Sequence, residues 1–204
     1  MPLKPLKIAL TGGIACGKSQ FAKFLRELGV QTLDADDIVH EIIPDEERRR
    51  LAEIVFKDPA ARKELEASIH PVVRDRIDRW FASSDTIYGL KALKVPKALK
   101  APKALKALNE PPLKIAIIPL LFECNWDGDY DIILCISSPV AEQMRRMVEI
   151  RALSRIEAEA RLSAQLPQEE KIARSHYVID NNSTLEHLHQ EAVRCVAWLR
   201  SQQH

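Results

Sequence analysis

Cysteine is sparse and scattered in this 204-residue chain: Cys16, Cys124, Cys135 and Cys195 are its four, and none forms a Cys-x-x-Cys pair. Such spacing gives no basis for a zinc site or a disulfide framework, and the expected compartment is the reducing cytoplasm. Long apolar runs are missing too, since no stretch approaches the roughly eighteen uninterrupted apolar residues of a membrane span. Met1 to Lys7 carries positive charge but no apolar segment ahead of the first strand, so neither secretion nor membrane insertion is expected. An excess of charge of one sign is also lacking: 30 Lys and Arg face 29 Asp and Glu, for a net charge of +1. That balance offers no case for a protein that wraps nucleic acid. The length is enough to bury a good core and suits one domain, or one with a small appendage.

What is present starts with Leu10-Thr-Gly-Gly-Ile-Ala-Cys-Gly-Lys-Ser19, which contains a complete P-loop pattern, Gly12-x4-Gly17-Lys18-Ser19. Phosphate is wrapped by main-chain N–H groups, and glycines let the backbone approach it without a Cβ in the way. Lys18 is placed to reach the β- and γ-phosphates and the Ser19 hydroxyl to ligate Mg²⁺, while the following helix offers its positive end to the same anion. The pattern carries weight only between a strand and a helix. Both are expected: Lys7 to Thr11 is a short apolar run suited to a buried parallel strand, and Phe21, Phe24, Leu25 and Leu28 recur at helical spacing before Gly29 stops the helix.

A second strand, Val30 to Leu33, delivers Asp34-Ala-Asp36-Asp37 at its C-terminal end, the end that faces the ligand crevice in open α/β sheets. Three carboxylates in four residues fit an Asp-capped helix start, and they equally fit a site beside Mg²⁺ that takes a proton from an acceptor hydroxyl. Pro44 to Trp80 reads as charged and helical, with an apolar stripe at Leu51, Ile54, Val55 and Phe56, a new start at Asp58-Pro59 and a break at His70-Pro71. Arg74, Arg76 and Arg79 lie between Val72, Val73, Ile77, Trp80 and Phe81, as a solvated face or as an anion-binding one. Residues 91–108 then repeat a six-residue Lys-Ala-Leu-Lys unit three times, with Lys at every third position from Lys91 to Lys106. Pro96 and Pro102 would interrupt an α-helix there, whereas polyproline II would align all the lysines on one edge. The repeat is expected to be a solvated low-complexity insertion at about 90–112.

Leu113 to Ile118 reads as a buried strand ending in Pro119-Leu-Leu-Phe-Glu123, and it lacks the Walker-B carboxylate sought at that place. Metal is then left to Ser19, the phosphates and water, with Asp34, Asp36 and Glu123 as further candidates. Asp131 to Ser137 is a fourth strand, Pro139 opens a helix to about Arg151, and Ser154 with Glu157 reads as a capping box. Arg145, Arg146, Arg151, Arg155 and Arg161 crowd that helix pair. They make either surface charge or an arginine-bearing lid that closes over a triphosphate. A helix from Pro167, a fifth strand at Tyr177 to Asp180 and a closing helix capped by Ser183 or Thr184 complete five strands alternating with helices. That is the pattern of a parallel sheet covered on both faces.

These segments together resemble the dephospho-CoA kinases. The likeness rests on Thr11 to Ser19, Asp34-Ala-Asp36-x-Ile38, Ile69-His70-Pro71-x-x-Arg74, Pro119 to Glu123, Ala164-Gln165 with Glu170-Lys171, and Val178 to Asn181, in that order. The resemblance implies a nucleoside-monophosphate-kinase-like P-loop fold, α/β with a five-stranded parallel sheet, that transfers the ATP γ-phosphoryl group to the ribose 3′-hydroxyl of dephospho-CoA with Mg²⁺. By position it implies ATP binding by Gly12, Gly13, Ile14, Ala15, Cys16, Gly17, Lys18, Ser19 and Gln20, catalysis by Lys18 and Asp36, and lid arginines at Arg146, Arg151 and Arg161. Asp34, His70, Arg74 and Leu121 would face the acceptor, and Ser19 would hold Mg²⁺ with Asp34 through water. A single kinase domain is implied, with its core at about 6–43, 113–140 and 176–204, an acceptor-binding helical region at about 44–84 and a lid at about 141–175. ATP and dephospho-CoA are the implied partners, with no nucleic acid or membrane, and a monomer is the favoured state. An ungapped match through the lid sets Ile150 where the family generally has an arginine, with Arg151 beside it and about 100° further around a helix. Between the acidic motif and Leu51 the chain is shorter than the family's usual pattern. Cys16, at a helix start among phosphate-binding amides, is expected to carry an unusually acidic thiol.

Overall fold

The computed structural model describes residues 6–44, 46–48, 50–51, 58–83 and 113–203. The lysine repeat and the apolar stripe at Ile54, Val55 and Phe56 lie outside the described residues. Contacts divide the chain into two compact units, one formed by Met1–Thr32 with Ser84–His204 and the other by Leu33–Ser83.

The larger unit is built on a sheet. Strand β1 (Ile8–Gly12) leads to helix α1 (Lys18–Glu27) and strand β2 (Gln31–Asp34), and later come β3 (Lys114–Ile117), β4 (Ile132–Ser137) and β5 (Tyr177–Asp180). The sheet order is β2-β3-β1-β4-β5. β1 pairs in parallel with β3 on one side and β4 on the other, so that Ile8 faces Ile115 and Ile132, and β4 pairs in parallel with β5. Every residue of β1 and β3 is buried, which is why these segments read as continuous apolar runs and not as alternation. Because the chain crosses from β3 past β1 to β4, the carboxyl end of β1 lies where the strand order reverses, the usual ligand crevice of such sheets.

Helix α1 covers the sheet with Phe21 and Leu25, next to the closing helix α7 (Leu185–Ser201), which contributes Leu188, Ala192, Cys195 and Leu199 to the same core. Phe24 and His189 lock these two helices edge to face, with ring centroids 5.1 Å apart. Between β4 and β5 lies the segment expected to be a lid. Helix α4 (Val140–Arg145) runs into a π-turn (Arg146–Ile150), followed by α5 (Arg155–Ser163) and α6 (Gln168–Ala173). The Ser154–Glu157 capping box is formed in both directions. A separate small core of Ala15, Met147 and Ala158, with Ile14, Met144, Leu153 and Leu162 around it, seats this segment against the P-loop.

The second unit contains helix α2 (Ala35–Ile42) and helix α3 (Pro59–Ala82), which pack on each other and are joined at the surface by an Arg76–Glu41 ion pair. Asp58 caps α3 by accepting from the N–H groups of Ala60 at 2.8 Å and Ala61 at 3.2 Å. The break expected at His70-Pro71 does not occur, and α3 continues through Pro71. An interior proline costs about 3 kcal/mol. Val73, Ile77, Trp80 and Phe81, all buried beyond it on one stripe, are each worth about 1.5–3 kcal/mol. Their burial outweighs the lost hydrogen bond.

Candidate active site

Four main-chain carbonyls of the P-loop are engaged by side-chain donors. Lys18 Nζ donates to the carbonyls of Gly12 at 2.8 Å and Gly13 at 2.9 Å. Arg146 Nη1 donates to the carbonyl of Ala15 at 3.1 Å, and Asn181 Nδ2 to that of Cys16 at 2.8 Å. A trans peptide points its N–H opposite its C=O, so tying down carbonyls presents the loop's amides on the other side, as an anion nest requires. Gly12 has φ 146° and comes so near β4 that a Cβ there would sit 2.5 Å from the Ile136 carbonyl oxygen. Gly17 has φ 97°, and a Cβ on it would meet Asn181 Nδ2 at 2.3 Å. Both positions therefore need glycine, for conformation and for space.

Amide side chains from the segment between β4 and β5 finish the loop. Gln165 Oε1 accepts from Ile14 N–H at 2.8 Å. Gln168 Oε1 accepts from Cys16 Sγ–H at 3.2 Å, Ser138 N–H at 3.2 Å and Gln143 Nε2 at 3.0 Å, while its Nε2 donates to Ser137 Oγ and the Ser138 carbonyl. Arg146 is oriented by Glu142, whose Oε1 accepts from Arg146 Nε at 2.8 Å and from Arg145 Nη2 at 2.7 Å. Hydrogen bonds from Arg145 and then Arg146 hold the Glu142 carboxyl down to about 2. Sequence reasoning gave Gln143 and Gln168 no role and named Asn181 only as the end of the Val178 to Asn181 segment, because their partners lie largely in other elements.

Cys16 departs from expectation. Its side chain is wholly buried, and burial pushes the thiol up despite the nearby Lys18 charge. The helix start does not make it acidic because desolvation of the thiolate outweighs the local positive field. Glu123, a candidate metal ligand, is instead committed to packing: Lys171, fully buried, pairs with its Oε1 at 2.6 Å, and the Leu166 N–H reaches the same oxygen at 3.0 Å. Leu121 is also wholly buried, so its side chain is core and not a surface offered to an acceptor.

Asp34, Asp36, His70 and Arg74 all fall in the Leu33–Ser83 unit. Asp34 is the N-cap of α2, with Oδ1 accepting from Asp36 N–H at 3.0 Å, so the helix-start role is realised. Asp36 and Asp37 are exposed on the first turn of α2. Arg151 and Arg161 are exposed in the other unit, Arg151 at the end of the π-turn and Arg161 in α5. The π-turn closes an i to i+5 hydrogen bond from Arg151 N–H to the Arg146 carbonyl at 3.2 Å. Such a turn adds about one residue to a helical repeat, which returns Arg151 to the direction that position 150 would take in an unbroken α-helix. Among the described residues no group of three or more His, Cys, Asp and Glu could enclose a metal ion, and no helix is long and apolar enough to cross a membrane.

The family model described as dephospho-CoA kinase matches residues 6–47 and 97–187. The dephospho-CoA kinase of Thermosynechococcus vestitus is 34% identical over 209 residues, covering 91% of each chain. A Thermus thermophilus protein of known crystal structure is 32% identical and superimposes with a TM-score of 0.68 over 95% of this chain and 96% of its own. The dephospho-CoA kinase of Campylobacter jejuni, 24% identical, shares the fold with a TM-score of 0.62 over 97% of this chain and 98% of its own. With its P-loop, its sheet and these likenesses together, the chain is an α/β P-loop kinase and belongs to the dephospho-CoA kinase family.

Proposed function

We propose that this chain transfers the γ-phosphoryl group of ATP to the ribose 3′-hydroxyl of dephospho-CoA, releasing ADP and CoA, the last step of coenzyme A synthesis. The observation that carries this is the P-loop itself, with carbonyls held by Lys18, Arg146 and Asn181 so that amides such as that of Gly17 are left to cradle phosphate, in a chain of this family. Phosphoryl transfer asks a protein mainly for positioning and charge stabilisation. The amides from Gly12 to Ser19, with Gln20 behind them, bind the donor's phosphates. Lys18 leaves its carbonyl partners for the β- and γ-oxygens and supplies charge as the leaving group departs. Arg146, Arg151 and Arg161 supply the lid's share of that charge and exclude water.

On the acceptor side, Asp36 accepts the proton of the attacking hydroxyl, and Asp34, His70 and Arg74 orient the substrate. Mg²⁺, when bound with ATP, would supply charge that offsets the phosphates. The residues present suit that ion: Mg²⁺ keeps several waters and takes one or two protein ligands, and the Ser19 hydroxyl on the first turn of α1 is one such ligand, with Asp34 acting through water. The test is ADP release by purified protein with Mg²⁺ and ATP, comparing dephospho-CoA with AMP as acceptor. Dephospho-CoA is expected to give stoichiometric ADP at a rate at least about tenfold above AMP, the scale on which acceptor contacts discriminate. No dephospho-CoA-dependent ADP, under conditions where a related enzyme turns over, overturns the proposal.

A further inference from the structure

We infer that Asn181 is a positioning residue for the reaction: it sets the Cys16–Gly17 peptide so that the Gly17 N–H faces the bound nucleotide's phosphates. The inference rests on nucleotide phosphates occupying the P-loop as proposed above.

Asn181 follows β5 in a turn and is only 6% exposed. Its main chain is fixed from three sides. Its N–H donates to the Ser137 carbonyl at 2.8 Å, and its own carbonyl accepts from Ser138 Oγ at 2.9 Å and Arg146 Nη2 at 3.2 Å. That leaves the side chain one direction in which to act, and Nδ2 donates to the Cys16 carbonyl at 2.8 Å. The amide's orientation follows from chemistry, since only the NH₂ end can pair with a carbonyl oxygen.

The Cys16 carbonyl and the Gly17 N–H belong to one planar trans peptide and point opposite ways. Holding the carbonyl against Asn181 therefore turns the Gly17 N–H away from it. That N–H meets no protein acceptor among the described residues, although it directly precedes α1 in the anion-binding loop. Without the tether this peptide can flip at little cost, because Gly17, at φ 97°, accepts positive and negative φ alike. A flipped peptide would turn a carbonyl oxygen toward the phosphate in place of a donor. Asn181 thus converts a permissive glycine into a defined one, and Arg146 couples the same turn to the lid through the Asn181 carbonyl.

The experiment measures affinity for ADP with Mg²⁺, for inorganic pyrophosphate and for adenosine, the last by competition, in the unmodified protein, in Asn181→Ala and in Asn181→Leu. The leucine variant keeps the branched shape and removes both polar ends of the amide, the donor to Cys16 among them, so it serves if the alanine variant fails to fold. Loss of one charge-assisted hydrogen bond predicts that ADP and pyrophosphate weaken about tenfold in both variants while adenosine stays within about twofold. A purely structural defect would weaken adenosine as much as ADP. Equal losses for adenosine and ADP, or variants that bind ADP like the unmodified protein, overturn the inference alone. If the unmodified protein binds neither ADP nor pyrophosphate, nucleotide does not occupy the loop and both proposals fall.

Discussion

At the scale of single residues, the letters Gly12-x4-Gly17-Lys18-Ser19 were legible in the sequence and their hydrogen bonds were not. A motif names the residues whose backbone lies near phosphate, but the partners that fix that backbone, Arg146, Gln165 and Asn181, sit 131 to 165 positions away in the chain. Cys16 makes the same point, since its neighbours in sequence suggest an activated thiol and its neighbours in space bury it. Asp34 shows how an ambiguous carboxylate resolves in part: its oxygen caps α2 through Asp36 N–H, and a capping carboxylate can still hydrogen-bond a metal's water. For Asp36 the residue-scale prediction is chemical. Asp36→Asn keeps nucleotide affinity within about twofold but lowers kcat by roughly 10²-fold or more, the usual range for losing a general base. Steady-state kinetics with both substrates check it, and near-normal turnover removes Asp36 from that role.

At the scale of elements, start and stop signals served well where local chemistry decides and poorly where burial does. Asp58 and Ser154 cap the helices that follow them as their sequence context says. Pro71 breaks nothing, because four buried side chains beyond it hold α3 together. The π-turn at Arg146–Ile150 had no local signature; it coincides with the burial of Met147 and the reach of Arg146 to the P-loop. Ile150, at the end of that turn, is 69% exposed. The capping box gives this region its measurable stability. Ser154 Oγ accepts from Glu157 N–H at 3.2 Å, and the Ser154 N–H donates to Glu157 Oε2 at 2.9 Å. Ser154→Ala should cost about 1 kcal/mol, a fall in Tm of about 2–4 °C for a chain of this size. The hydroxyl and amide of Ser154 also hold Glu157 below its usual pKa, so the box stabilises above the normal carboxylate range and fades as pH falls through the lowered value. Calorimetry of the two proteins at neutral pH reads the difference, and an unchanged Tm would mean that α5 starts without its cap.

At the scale of the whole molecule, the alternation of strand and helix read from the sequence is the architecture observed, because buried parallel strands leave a plain apolar signature. The tie between the turn after β3 and helix α6 was not legible, since the sequence offers Glu123 as a candidate metal ligand and gives no sign that Lys171 reaches it. Lys171→Met would strand the Glu123 carboxylate, whose Oε2 is already buried without a partner, and should cost about 3–5 kcal/mol. Adding Glu123→Leu should restore most of that loss, because an apolar pair no longer carries the desolvation of two ions. Urea denaturation of both variants tests this, and a single-variant loss below about 1 kcal/mol would show the pair to be as weak as surface bridges are. The long reach of the P-loop's tethers also bears on how the protein is made. A domain emerges from the ribosome N-terminus first, so a growing chain carries its nucleotide motif almost from the outset. The partners at 146, 165 and 181 arrive only near the end. Nucleotide binding is therefore among the last properties this protein acquires during synthesis, and a product truncated before Asn181 would keep every letter of the motif without the grip that makes it a site.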